Sequence, residues 1–117
     1  MGEWVTNKVP FGVGQELFRE GQPPRDAFLI ERGRVEISKT QGGERVVLGY
    51  RETGDILGEM ALIDNNPRSA TATAIEPTVC VVITSKLFNE HLTRATPLLR
   101  RILVTFTRNL RAMSERV

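Results

Sequence analysis

The sequence contains no apolar run that approaches the roughly 20 residues of a membrane-spanning helix, and residues 1–4 lack the basic-then-apolar pattern of a secretory signal. We therefore expect a soluble, cytoplasmic protein. Only one cysteine and one histidine occur among the 117 residues, too few for a disulfide framework or for the clustered ligands of a zinc or cupin-type metal centre. Cys80 lies in an apolar run and is expected to be a buried filler rather than a reactive thiol.

A large excess of one charge is also absent, because the net charge is only +2. From Arg94 onward six arginines face one acidic residue, Glu115, and the preceding residues carry ten basic and thirteen acidic side chains. These arginines are spread around the terminal segment, which favours a solvated helix over a nucleic-acid-binding one. The length fits one domain, residues 1–117, and is too short for a separate effector domain.

Short β-type runs separated by turn residues fill the first two-thirds of the sequence and predict a mainly β fold. These runs cover residues 27–31, 34–39, 45–50, 69–74 and 79–84. Gly33 and residues 41–43 supply turns, so residues 27–50 are expected to form a meander of paired strands. Val35 and Ile37 share one face of their strand, which is expected to be its core side.

Beyond Ile83 the apolar spacing becomes helical. Ser85 is expected to cap a short helix over residues 86–92, and Thr96 with Pro97 predicts the start of a longer one. On the longer helix apolar residues recur with gaps of four and three, at Leu99, Leu103, Phe106, Leu110, Met113 and Val117. This spacing is a heptad seam. The helix either packs on the β-domain or pairs with its counterpart in a second chain, and we favour the homodimer.

The segment 54–70 differs in composition from the strands around it. Residues 59–63 are good helix formers but allow only about one turn before two asparagines and Pro67 end it. A turn this short usually has a purpose other than its own packing. The free amides at its start, together with Gly58, which lets the backbone approach closely, can stabilise an anion.

Arg68 follows this turn, so its guanidinium can reach back and make a two-pronged contact with phosphate oxygens. A phosphate would repel Glu59, whose useful role is therefore to accept hydrogen bonds from a neutral hydroxyl nearby, such as that of a ribose. An ordinary surface pair between Glu59 and Arg68 is the alternative. The order of glycine, glutamate, small residues, proline and arginine favours a ligand site.

The segment 58–70 resembles the phosphate-binding cassette of the cyclic nucleotide-binding domain family, which includes the catabolite activator protein and kinase regulatory subunits. In that family the glutamate binds the ribose 2′-hydroxyl and the arginine binds the cyclic phosphate, roles that the resemblance gives to Glu59 and Arg68. It also implies a phosphate cradle made by Gly58, Met60, Ala61, Ser69 and Ala70.

The same resemblance implies a fold and a base pocket. The fold would be a small antiparallel β-barrel of the jelly-roll (double-stranded β-helix) type over about residues 11–84, with a short helix in the phosphate-binding turn and C-terminal helices over about residues 85–117. Ile37 and Leu48 would form apolar walls for the base, and the residues around Asn109 and Met113 on the last helix would form a lid over it. Guanosine-preferring members often have threonine after the arginine. This chain has Ser69 there, whose hydroxyl can serve the phosphate of either nucleotide, and we expect cAMP rather than cGMP.

The expected function is that of a regulatory module that couples cyclic nucleotide binding to movement of its C-terminal helix. No nucleophile and base pair stands out, so we do not expect an enzyme, a metal or a cofactor beyond the ligand itself. A nucleotide-insensitive dimerisation or interaction scaffold and the sensory half of a transcription regulator are the alternatives. The expected partners are cAMP or cGMP and a second copy of the chain, with no membrane and no direct nucleic-acid contact.

Overall fold

The computed structural model describes residues 7–115, apart from the side chains of residues 61, 114 and 115. Eight strands and three helices follow one another along this part of the chain. The strands are β1 (Lys8–Phe11), β2 (Glu16–Phe18), β3 (Ala27–Arg32), β4 (Arg34–Gln41), β5 (Glu44–Glu52), β6 (Ile56–Leu57), β7 (Thr71–Ala74) and β8 (Thr78–Ile83). The helices are α1 (Glu59–Asp64), α2 (Ser85–Arg94) and α3 (Pro97–Glu115).

The strands form two antiparallel four-stranded sheets. One sheet has the order β1-β8-β3-β6 and the other the order β2-β7-β4-β5. Because the chain passes repeatedly from one sheet to the other, the two sheets enclose a common core in the jelly-roll manner. The predicted mainly β fold with a short helix and C-terminal helices is therefore confirmed. Strands β1, β2 and β6 were not predicted, since two to four residues are too few to show a period.

Residues 27–50 do not form the predicted meander. Strands β4 and β5 pair as a hairpin, but β3 pairs with β6 and β8 in the other sheet. Gly33 joins β3 to β4 with a φ of +115°, and a Cβ there would lie 2.6 Å from the Cα of Thr78. The prediction was wrong because one glycine between two strands indicates a hairpin turn, whereas this glycine carries the chain between sheets.

The core lies between the inner faces of the two sheets. Strand β7 alternates between half-buried threonines and the fully buried Ala72 and Ala74. These small inward side chains leave room for larger neighbours such as Phe28 and Ile30, which belong to the same buried cluster. Cys80 belongs to this cluster too, and its burial raises the pKa of the thiol to about 11. Its predicted role as a buried filler is confirmed.

The two C-terminal helices begin at hydroxyl caps. The Oγ1 of Thr84 accepts a hydrogen bond from the amide of Leu87 at 3.1 Å, so the predicted cap Ser85 is wrong by one position and is instead the first residue of α2. The Oγ1 of Thr96 accepts from the amide of Leu99 at 3.2 Å, which confirms the predicted start of α3. No helix among the described residues has the length and apolar character needed to cross a membrane.

The apolar seam of α3 is largely exposed. Phe106 and Met113 are 61% and 63% exposed, and Leu99 and Leu110 are also open to solvent. The buried side of the helix is the one that carries Thr107, which is 2% exposed. Because the seam does not face the β-domain, its apolar surface is free to pack against something else. Its last predicted position, Val117, lies outside the described residues, as do residues 1–4.

Candidate functional site

Two residues with positive φ bound the short helix α1. Gly58 precedes it with a φ of +80°, and Asn65 follows it with a φ of +57°. Asp64 helps to end the helix, because its Oδ1 accepts a hydrogen bond from the amide of Asn66 at 3.0 Å. The predicted single short helix in this segment is therefore present and begins at Glu59. Its first amides lie beside the chain reversal at Gly58.

Arg68 is folded back beneath the start of α1 and is only 5% exposed. Its Nη1 donates to the carbonyl of Gly58 at 3.1 Å, and its Nη2 donates to the carbonyl of Asp26 at 2.6 Å. The guanidinium carbon lies 4.4 Å from the centre of the Phe18 ring, which adds a cation–π contact. Carbonyls and an aromatic ring thus fix the plane of a buried cation beside Gly58.

The electrostatics of Arg68 combine two opposing effects. Burial lowers the pKa of the guanidinium from its ordinary value, and the negative charges of Asp26 and Glu59 act in the opposite direction. An arginine starts from a pKa so high that it remains protonated at neutral pH. The site therefore holds a positive charge where solvent screens it poorly, and an anion beside it would be attracted more strongly than at the surface.

A cavity opens between α1, Arg68 and the inner face of the β2-β7-β4-β5 sheet. Seven of the residues singled out from the sequence line it: Ile37, Gly58, Glu59, Met60, Arg68, Ser69 and Ala70. The sequence did not identify five further lining residues: Phe18, Arg51, Ile56, Leu57 and Arg111. The cavity therefore has an apolar lining interrupted by three arginines and one glutamate.

The remaining sequence-derived positions lie elsewhere. Leu48 is partly exposed on β5, and Asn109 and Met113 are exposed on α3. None of these three lines the cavity, so their roles around a base stay predictions. Ala61 lies within α1, and its side chain is outside the described part of the chain.

A bulge in the β4–β5 hairpin explains why Arg51 was missed. From the turn up to Ser38 and Val47 the pairing is regular, but the register then shifts so that Ile37 lies opposite Gly49. An unbroken register would have placed Leu48 opposite Ile37. The extra residue instead turns Arg51 towards the inner face of the sheet. Sequence periodicity alone does not reveal such a shift.

An ion pair joins the end of α1 to α3. Arg111 makes a two-pronged contact with the carboxylate of Asp64, in which Nη2 donates to Oδ1 at 3.1 Å and Nε donates to Oδ2. Both side chains are 14% exposed. Arg111 also lines the cavity. This ion pair therefore links α3 both to the end of α1 and to the wall of the cavity. A single arginine within a basic segment gave no sequence signal for it.

A family model described as "Cyclic nucleotide-binding domain" matches residues 8–95. The cAMP-dependent protein kinase regulatory subunit of Mycosarcoma maydis is 42% identical over 65 residues, which make up 55% of this chain and 12% of that protein. The Catabolite Activator Protein of Thermus thermophilus matches with a TM-score of 0.70 at 26% identity, over 94% of this chain and 48% of that one.

The EAL enzyme Bd1971 is similar in two ligand-bound forms. Its cAMP-bound form matches with a TM-score of 0.85 at 33% identity, over 90% of this chain and 28% of that one. Its cGMP-bound form matches with a TM-score of 0.85 at 32% identity, over 93% of this chain and 29% of that one. This chain thus spans less than half the length of each of these proteins.

Proposed function

The chain belongs to the cyclic nucleotide-binding domain family, and on that premise we propose that it is a regulatory module that binds cAMP or cGMP beside α1 and passes the binding signal to α3. The observation that carries this proposal is the position of Arg68, a buried cation held beside Gly58 in the wall of a cavity. The proposed role is regulatory rather than catalytic.

The cyclic phosphate is proposed to bind Arg68. A guanidinium has five N–H donors, and Arg68 uses donors of Nη1 and Nη2 on two carbonyls, which leaves others for phosphate oxygens. The amides of Met60, Ala61, Ser69 and Ala70 complete the proposed phosphate cradle. Because Phe18 and the carbonyls already hold the guanidinium plane, little side-chain freedom would be lost on binding.

Glu59 is proposed to bind the ribose. It is the first residue of α1, lines the same cavity as Arg68 and is exposed to solvent. Its carboxylate accepts hydrogen bonds and cannot donate them when ionised, which suits the 2′-hydroxyl of a ribose. Arg68 and Glu59 together would therefore require a ligand with an anionic group and a neighbouring hydroxyl, as in a nucleoside cyclic monophosphate.

Coupling to the C-terminal helix is proposed to run through the Asp64–Arg111 ion pair. Helix α1 begins at the proposed ligand site and ends at Asp64, whose carboxylate is bound by Arg111 of α3. Because α1 is a single short helix, a displacement of its first turn on ligand binding would also move Asp64, and with it Arg111. Such coupling requires that the ligand bind two arrangements of α3 with different affinity, typically by about 1–3 kcal/mol.

Replacing Asp64 with asparagine is expected to uncouple α3 from the ligand. The amide oxygen of asparagine can still accept from the amide of Asn66, so the end of α1 is kept while the charge on Arg111 loses its partner. We expect faster amide hydrogen exchange in α3 around residue 111, and a smaller change on adding ligand. The exposed Glu76, replaced with glutamine, is the control. Ligand-dependent protection equal to that of the wild type would exclude this route.

Calorimetric titration with cAMP and cGMP is the direct test of the proposed function. We expect saturable binding of at least one of them, accompanied by a rise in melting temperature, since a ligand that binds only the folded state stabilises it. The matching 5′-monophosphates serve as controls because they keep base and ribose but lack the ring-closed phosphate. An absence of heat and of any thermal shift at millimolar cyclic nucleotide would reject the function.

The exposed seam of α3 favours a second candidate function, that of a homodimerisation scaffold that does not respond to nucleotide. Leu99, Phe106, Leu110 and Met113 present an apolar stripe at heptad spacing that the β-domain leaves uncovered. A ligand-responsive module can also dimerise through this stripe, as can the sensory half of a transcription regulator. Sedimentation with and without cyclic nucleotide separates these cases, because a scaffold would remain a dimer in both.

A further inference from the structure

The arginines of α3 share one face of the helix. The positions of Arg100, Arg101, Arg108 and Arg111 in the sequence bring all four within an arc of about 100°, since each residue turns an α-helix by about 100°. The exposed apolar seam, with Phe106 near its middle, lies about half a turn away on the opposite side. Contrary to the expectation from the sequence, these four arginines are therefore concentrated on one side of α3.

Three of these arginines lack a compensating carboxylate. Arg111 is held by Asp64, but no described side chain forms an ion pair with Arg100, Arg101 or Arg108, all of which are exposed. Arg108 and Arg111 lie three residues apart, a spacing at which like charges repel. Arg100 and Arg101 lie near the start of α3, where the helix dipole disfavours cations and the first turn has no acidic residue. The positive charges therefore weaken the helix that carries them, which indicates a function outside the fold.

Two adjoining hollows lie along the same side of α3. The first, of about 490 Å³, lies between the end of α1 and α3, and its apolar lining is Ile63, Val104 and Ala112. The second, of about 340 Å³, lies along the first half of α3 and begins at Pro97. Val104 and Arg108 line both hollows, which places them where the two meet. The unpaired guanidiniums therefore border an apolar floor.

We propose that this basic face, formed by Arg100, Arg101 and Arg108 around Val104, docks an acidic peptide segment of a partner protein. Carboxylates match the guanidiniums, which bind them through paired hydrogen bonds. An apolar side chain between the carboxylates would cover Val104 and remove it from water. A nucleic-acid backbone offers phosphates but no apolar side chain at that position, so it would leave the floor of both hollows in contact with water.

The length of the basic face sets the size of the segment. From Arg101 to Arg108 the helix rises by about 10 Å, which equals about two turns of a partner helix or about three residues of an extended chain. Two carboxylates at that separation, with an apolar residue between them, match the two arginines and Val104. The seam lies on the opposite side of α3, so the segment can bind whether or not a second chain covers the seam.

The test is fluorescence anisotropy of the protein with a fluorescein-labelled peptide made of three Glu-Glu-Leu-Glu repeats. We expect saturable binding that weakens as salt is added, since salt screens exposed charges. The double variant Arg101→Glu/Arg108→Glu is expected to weaken binding by about 10-fold or more, because like charges then face each other. Glutamate is favourable near the start of a helix, so this variant is expected to stay folded in a melting curve. A peptide with serine in place of leucine is expected to bind more weakly, because it cannot cover Val104.

Arg25→Glu/Arg32→Glu is the matched control. Both arginines are exposed, lie outside α3 and have no ion pair with a described side chain. This variant changes the net charge by the same amount, and we expect it to keep close to wild-type affinity for the peptide. Phe106→Ser removes part of the apolar seam and is also expected to leave the affinity unchanged.

Four results would overturn the proposal. Equal weakening by the two double variants would reduce the effect to net charge, and a loss of binding in Phe106→Ser would place the peptide on the seam. Tighter binding of a labelled DNA oligonucleotide than of the peptide at the same salt, lost in Arg101→Glu/Arg108→Glu, would assign the basic face to nucleic acid. Self-association in sedimentation that the same variant abolishes, with no binding of the peptide, would assign it to a second copy of the chain. None of these measurements uses cyclic nucleotide, so their outcome is independent of the proposed function.

Discussion

The variant Arg68→Ala is expected to bind cyclic nucleotide about 2 kcal/mol or more less tightly than the wild type, roughly a 30-fold loss of affinity. The phosphate would lose its charged partner, and the remaining amides of the cradle carry no net charge. The loss is large because Arg68 is 5% exposed, so water cannot readily replace it beside a bound anion. Calorimetry with the preferred cyclic nucleotide measures the effect.

The same substitution is expected to affect folding, and the experiment has to separate the two effects. Removing the guanidinium deprives the carbonyls of Gly58 and Asp26 of the hydrogen bonds that Arg68 donates to them. Leaving buried polar groups unpaired costs about 1–3 kcal/mol each. A melting curve of Arg68→Ala therefore accompanies the titration, which is carried out at a temperature where the variant is folded.

Arg68→Lys keeps the positive charge but not the forked guanidinium, and it is expected to bind with intermediate affinity. Wild-type affinity in folded Arg68→Ala would contradict the phosphate role.

Gly58→Ala is expected to weaken cyclic nucleotide binding at least as much as Arg68→Ala does, although it removes no charged group. Gly58 has a φ of +80°, a conformation that costs an alanine about 1–2 kcal/mol. Its Cβ would lie 2.5 Å from Nη1 of Arg68 and 3.2 Å from the carbonyl oxygen of Asp26. The guanidinium has to move away from such a contact, and its present place beside the start of α1 would be lost.

Gly54→Ala is the matched control for this prediction. Gly54 also has a positive φ, +95°, but a Cβ there would have no atom within 4 Å. Both variants therefore suffer similar backbone strain, and only Gly58→Ala displaces Arg68. We expect Gly54→Ala to lower the melting temperature while it keeps wild-type affinity for the ligand in titrations of the folded protein. Equal affinities of the two variants would show that the close approach at Gly58 is irrelevant to binding.

Local signals made much of the fold predictable from the sequence. Alternating apolar residues and turn residues located five strands, and Thr96 with Pro97 located the start of α3, because both kinds of signal act over a few neighbouring residues. The pairing of β3 was not predictable in this way. Its partner β8 is distant in the sequence, and Gly33 allows a passage between sheets as readily as a tight turn.

The residues of the candidate site also fall into two groups, those marked by local sequence signals and those placed by long-range contacts. The positions from Gly58 to Ala70 form one continuous segment, whose order of residues already indicated an anion site. Arg51 and Arg111 come from a bulged strand and from the far end of α3, and neither position is marked by its neighbours. They reach the cavity only because the register of β5 shifts and because α3 crosses α1. Such long-range placement depends on the folded structure as a whole.

Strand β8 lies in the middle of its sheet, between the first strand of the barrel and β3. Lys8 is opposite Val81, so β1 is synthesised more than 60 residues before the strand with which it pairs. Contacts between such distant positions slow folding, because a long loop must close before any of them forms. During synthesis β1 and β3 would therefore present unpaired strand edges, and a truncation before residue 78 would leave β1 without its neighbour.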